Sequence, residues 1–158
     1  MGTLGNKSAI ITGSSRGVGA DTAKILAGEG AGVVVNYRQK APRANKVVKE
    51  IEEAGGRAVA VGADITQHGD VQNLVDAAVE AFGGLDILVL NASGGMETDL
   101  GEDYALRLNR DAQLDLMRTA AEVMKPGSRI VYVTSHQAHF INDVETMPEY
   151  EAVARSKR

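Results

Sequence analysis

"SAIITGSSRGVG", residues 8–19, decides the architecture of this chain. Residues 9–11 are an apolar run with no polar alternation, and glycines follow at 13, 17 and 19. A strand with one wet face alternates polar and apolar side chains, so an unbroken run reads as a strand covered on both faces. A glycine-rich turn directly behind it, opening a helix, is the first half of a strand–helix–strand unit.

The rest of the chain repeats that pattern. "GVVVNY" (32–37), "RAVAVG" (57–62), "DILVLNA" (86–92) and "RIVYVTS" (129–135) are also near-continuous apolar runs. Between them the period changes. Val71, Leu74, Val75, Ala78, Val79 and Phe82 share one face of a helix over 68–82. Ala44, Val47, Val48 and Ile51 do so over 43–54, with Gly55 and Gly56 placed to end the helix. A long helix is expected over 102–125, stopped by "KPG", and a last one from Pro148, with Thr146 as its N-cap.

Strand and helix alternating with right-handed crossovers give an α/β fold: a doubly wound, Rossmann-like parallel sheet in three α/β/α layers. Residues 1–158 read as a single domain with no repeat, low-complexity tract or linker. The last helix has no stop signal after Lys157. The expectation is a fold truncated after the fifth strand and the start of the next helix, with a C-terminal substrate-binding part beyond it.

Composition narrows the function. Alanine, valine and 18 glycines dominate, with 4% aromatic residues and no tryptophan. The net charge of -4 offers no basic field for nucleic acid. No cysteine means no disulfide framework and no thiolate chemistry, which fits a cytoplasmic setting. No basic region followed by an apolar stretch opens the chain, and no apolar run approaches a membrane span.

The turn itself points to a ligand. Backbone that passes close to a pyrophosphate has no room for a Cβ, and the helix behind it offers free N–H groups and a positive dipole end. Gly13, Gly17 and Gly19, with Ser15, Arg16 and Val18 between them, are therefore candidate dinucleotide contacts. An NAD site usually carries an acid about 20 residues on, for the ribose 2′-hydroxyl. Between residues 30 and 49 there is no acid, while Arg38, Lys40, Arg43, Lys46 and Lys49 are present. Arg38 at the strand end and Arg16 in the turn suit a 2′-phosphate, so the expected cofactor is NADP(H).

The glycine spacing, "GADIT" after the third strand and "LVLNAS" at the fourth resemble the short-chain dehydrogenase/reductase family over essentially the whole chain. The resemblance implies roles. Thr12 and the three glycines match its cofactor turn. Asp64 matches the acid that meets the adenine amino group, beside the backbone of Ile65. Asn91 and Ala92 match the middle of an Asn-Asn-Ala-Gly motif whose flanks here are Leu90 and Ser93. Asn109 matches the helix asparagine that organises a relay water, and Ser135 the serine that bonds the substrate carbonyl.

Family enzymes then carry Tyr-x-x-x-Lys, the tyrosine as proton donor and the lysine as its activator and ribose contact. Here Tyr150 and Lys157 stand seven apart, and Val153 lies four before Lys157. On a helix that spacing keeps both residues on one face but adds about one turn between them, ~10.5 Å of rise in all. A lysine that far off lowers the tyrosine pKa less, unless Tyr150 sits ahead of the helix and folds back. His136 and His139 are rival proton donors; as a metal half-site they lack a third ligand, and no metal is expected.

The function expected is NADPH-dependent reduction of a small carbonyl, or oxidation of the corresponding alcohol, by Asn109, Ser135, Tyr150 and Lys157. The alternative is a redox-silent NADP(H)-binding regulatory module. The apolar arc of the helix over 102–125 (Leu106, Leu108, Leu114, Leu116, Met117, Val123 and Met124) suggests a homodimer or homotetramer. The partners expected are a small-molecule substrate and no nucleic acid or membrane.

Overall fold

The computed structural model describes residues 2–94, 103–140 and 147–158. Five parallel strands form one sheet in the order β3-β2-β1-β4-β5. They are β1 (Ser8–Ile11), β2 (Gly32–Tyr37), β3 (Arg57–Gly62), β4 (Leu85–Leu90) and β5 (Met124–Tyr132). Helices α1 (Gly17–Gly28), α2 (Ala41–Glu53) and α3 (His68–Phe82) make the first crossovers. The fourth is one rod: α4 (Tyr104–Leu106), a π-turn over Arg107–Asp111, and α5 (Ala112–Ala121). Short α6 (His136–Phe140) and α7 (Pro148–Ser156) follow β5.

The unbroken apolar runs of β1, β2 and β4 have the cause that the sequence suggests; β5, at the edge of the sheet, is not covered on both faces and leaves Ile130, Val131 and Tyr132 exposed. Ile10, Val34 and Leu88 pack on one face of the sheet with Leu74, Val75 and Leu116 from α3 and α5. Ala9, Ile11, Val33 and Val35 pack on the other with Ala23, Val47 and Ile51 from α1 and α2. Each buried Ile, Leu or Val contributes about 1.5–3 kcal/mol relative to exposure. The sheet therefore holds two cores, and a polar residue on either face would be costly.

Element ends follow local chemistry. After α2, Gly55 takes φ 83, and the N–H groups of Gly55 and Gly56 bond Glu52 O and Ile51 O at 2.9 Å. Those bonds close a Schellman motif. Pro148 opens α7 as expected, with Met147 at the N-cap; Thr146 lies outside the described residues.

Two expectations change. The fifth strand begins at Met124 rather than 129 and ends at Tyr132 rather than 135. Leu85 pairs with Met124 but Ile87 pairs with Arg129, so residues 125–128 bulge out of register. Pro126 has no N–H to donate and Gly127 takes φ 96, which together account for the bulge. The helix expected over 102–125 ends at Ala121 and is broken by the π-turn; its expected first residue lies outside the described residues.

The apolar arc of that helix is mostly spent inside the chain. Leu108 and Leu116 are buried, and Met117, Val123 and Met124 pack against the first core. Leu114 remains 41% exposed, and on β5 Ile130, Val131 and Tyr132 are 43%, 49% and 39% exposed. The β5 edge is thus one open apolar surface; Val18 and Ile25 of α1 and Met147 ahead of α7 are exposed as well.

Candidate active site

The strand order reverses between β1 and β4, and the crevice beyond their carboxyl ends is where such sheets bind ligands. The glycine turn leaves β1 there. Gly13 and Gly17 hold φ of 63 and 56, in the left-handed region that glycine adopts without strain. Nothing lies within 4 Å of a Cβ built on Gly17, so its open side faces the crevice. Gly19 differs. A Cβ there would stand 2.7 Å from both Asn91 Nδ2 and Gly13 O, so its glycine serves the close packing of the turn against β4.

Thr12 and Asn36 fix the turn from behind. Thr12 is fully buried; its Oγ1 accepts the N–H groups of Asn91 and Ala92 at 3.0 and 2.9 Å. Asn91 Nδ2 donates to Thr12 O at 3.0 Å. Thr12 thus supports the cleft rather than lining it. Asn36 Oδ1 accepts the Gly13 N–H at 3.1 Å, and its Nδ2 donates to Ala63 O at 3.1 Å. Its own N–H reaches Ser14 Oγ at 3.0 Å. One buried side chain therefore ties together the exits of β1, β2 and β3. Sequence reasoning missed Asn36, although a lone amide inside "VVVNY" was the available signal: a buried polar group demands partners.

A cleft of about 530 Å³ lies over the turn. Ser15, Arg16, Gly17 and Val18 line one wall, and Arg38 stands at the end of β2. Asp64 and Ile65 close the β3 side, and Asn91, Ala92 and Ser93 the β4 side. Asp64 is held by Thr66, whose N–H and Oγ1 both donate to Asp64 Oδ1, at 3.0 and 2.7 Å. Arg38 Nη1 donates to the hydroxyl of Tyr104.

A second cavity of about 630 Å³ adjoins the first, and Ser93 lines both. Ser135, His136, Tyr150, Val153 and Lys157 border it. Lys157 therefore belongs to this chamber rather than to the walls of the first. Its Nζ donates to Val133 O at 2.9 Å, and burial holds its pKa below the ordinary lysine value. Ser135 Oγ accepts the Gln137 N–H at 3.3 Å, which leaves its own proton to donate elsewhere. Tyr150 lies within the first turn of α7, not ahead of the helix, so it does not fold back toward Lys157. His139 is exposed and does not border the chamber.

Asn109 sits in the π-turn and is fully buried. Its Nδ2 donates to Gly94 O at 2.7 Å and to Ser156 Oγ at 2.8 Å, and its Oδ1 accepts the Gly94 N–H at 3.2 Å. Its carbonyl accepts the Tyr132 hydroxyl at 2.8 Å. A π-turn shifts carbonyls off the regular ladder and often marks a functional site. Here it joins the exit of β4, strand β5 and helix α7 at one residue.

A switch-point crevice over a glycine turn, opening into a chamber with Ser, Tyr and Lys, is the arrangement of a Rossmann-like domain with its site at the carboxyl ends of the strands. The family described as short chain dehydrogenase matches residues 7–153, and this chain belongs to it. The short chain dehydrogenase/reductase AacuN of Aspergillus aculeatus is 39% identical over 142 residues, covering 86% of this chain and 54% of that protein. A short chain dehydrogenase from Burkholderia cenocepacia, solved in complex with NADP, superposes with a TM-score of 0.85 at 40% identity. That match covers 97% of this chain and 64% of the other. A 7 alpha-hydroxysteroid dehydrogenase, solved with NADH and 7-oxo glycochenodeoxycholic acid, gives a TM-score of 0.86 at 35% identity, covering 98% and 61%. The chain thus spans little more than half to two thirds of the length of these relatives.

Proposed function

We propose that this chain forms the NADP(H)-binding and catalytic core of a short-chain oxidoreductase that interconverts a small carbonyl compound and its alcohol. The observation that carries this reading is the meeting of the two cavities at Ser93. A dinucleotide laid along the first cleft would bring its reactive end to the chamber that holds Ser135, Tyr150 and Lys157.

The residues fit the cofactor. Gly17 leaves open space where a Cβ would stand, and α1 begins at that residue, so its free N–H groups suit a pyrophosphate. Arg38 and Arg16 suit a 2′-phosphate. When bound, the nicotinamide supplies or accepts the hydride. Ser135 donates a hydrogen bond to the substrate oxygen and orients the carbonyl, keeping its own proton. Tyr150 delivers the proton to that oxygen. Lys157 meets the ribose, its Nζ positioned by the bond to Val133 O. Asn109 holds α7 in place through Ser156. The assembly proposed is a homodimer or homotetramer, with Leu114 and the β5 edge as its open apolar positions.

Val153 favours a second reading. It borders the chamber four residues before Lys157, where an apolar side chain can move no proton. On that reading the chain binds NADP(H) without turnover, as a regulatory module. NADPH oxidation followed with a panel of small ketones, aldehydes and quinones separates the two. Turnover with any of them supports the oxidoreductase; tight cofactor binding with no turnover across the panel supports the module.

A further inference from the structure

Tyr104 opens α4 and is buried, far in sequence from the basic stretch after β2. Arg38 crosses to it, giving Nη1 to its hydroxyl and placing its guanidinium 5.8 Å from the ring centre. Arg107, in the π-turn, places its guanidinium 5.9 Å from the same ring. Both arginines and Tyr104 line a cavity of about 480 Å³ beside the dinucleotide cleft, and Arg38 and Tyr104 line the cleft as well. Asp64 borders the cavity too, with its Oδ1 taken up by Thr66.

Two guanidinium groups lining one cavity give it a doubly positive wall, which favours a dianion there. An arginine tethered at one nitrogen has also lost part of its rotamer freedom before a ligand arrives, so less is lost on binding. Its remaining N–H groups stay available to fork onto a phosphate.

We propose that Arg38, Tyr104 and Arg107 form one subsite for the cofactor's 2′-phosphate. Tyr104 is its positioning residue and Arg107 a further cation beyond Arg38 and Arg16. The inference rests on the NADP(H) reading and extends it to a helix after β4, where sequence reasoning placed no cofactor contact.

The probes are adenosine 2′,5′-bisphosphate and 5′-AMP, which differ by the 2′-phosphate alone. Calorimetric titration gives the ratio of their affinities in wild type, Arg38→Ala, Tyr104→Phe and Arg107→Gln. Damage to the fold lowers both affinities together; loss of the subsite lowers the ratio. Tyr104→Phe keeps the ring and removes the hydroxyl, and the ratio should fall about three- to tenfold. Arg107→Gln changes an exposed side chain and should lower the ratio by a similar factor, with a weaker salt dependence. An unchanged or raised ratio in either variant, with Arg38→Ala still collapsing it, overturns the three-residue subsite and leaves the NADP(H) reading standing. A wild-type ratio near one overturns both.

Discussion

Asn109 grips Ser156 from across the site, Nδ2 to Oγ at 2.8 Å, and Ser156 Oγ in turn donates to Val153 O at 2.9 Å. The next residue is Lys157, so this contact sets where α7 presents its amine. Asn109→Ala would leave Gly94 O and Ser156 without their partner in a buried place. The expected cost is about 1–3 kcal/mol, read as a lower urea midpoint. Cofactor affinity should fall with it, because Lys157 loses its support. A variant with wild-type midpoint and affinity would show that Asn109 supports neither.

The two later glycines should fail differently. Gly19→Val drives a side chain into Asn91 and the backbone of Gly13 and Ser14, so thermal unfolding should fall sharply. Gly17→Val meets no protein atom but must hold φ 56, a strain of roughly 1–3 kcal/mol. Its main effect should be lost cofactor binding in a chain that still folds. Equal melting losses in both variants would contradict this division.

Cofactor preference should follow Arg38. NADPH is expected to bind more tightly than NADH, and Arg38→Ala to remove about ten- to a hundredfold of that preference, the worth of one charge-assisted contact. Paired titrations of the two cofactors check it. Equal wild-type affinities would contradict the claim.

Acid stability should depend on Asp86. Burial raises its pKa, but the Lys7 ammonium at 3.0 Å and the Ser8 N–H at 3.0 Å outweigh that and hold it below the ordinary aspartate value. A carboxylate with a depressed folded pKa stabilises above its unfolded pKa, and the gain is lost as pH falls through the folded value. Asp86→Asn should therefore cost about 1–2 kcal/mol at neutral pH, a difference that closes in acid. A difference that stayed constant in acid would mean that the charge is not its source.

Much of this was legible because burial leaves a simple trace. Two-faced cores make unbroken apolar strands, and helix faces repeat near the helical period, so α3 lies over 68–82 as its spacing predicts. Glycine and proline mark the turn at 12–19, the end of α2 and the start of α7. Long-range side-chain contacts leave no such trace. The bond from Arg38 to Tyr104 spans distant segments, and nothing in either stretch announces the other. Asn36 was visible as a polar residue in an apolar run, but its partners at Gly13 and Ala63 were not. The bulge before Arg129 has a local cause in Pro126 and Gly127, but the register it shifts is that of the pairing with β4, which a local reading cannot see.

Tyr150 and Lys157 share a chamber but sit a helical turn further apart than the family spacing, and the oxidoreductase reading stands on the tyrosine. Tyr150→Phe removes one hydroxyl and little volume, so folding and NADPH affinity should hold. The decisive measurement is single-turnover NADPH oxidation by this variant, with saturating cofactor and a carbonyl substrate that wild type reduces, on the full natural protein. The account predicts a rate about 10²- to 10⁴-fold below wild type, the contribution of a positioned acid. A wild-type rate would contradict it and remove Tyr150 from the chemistry.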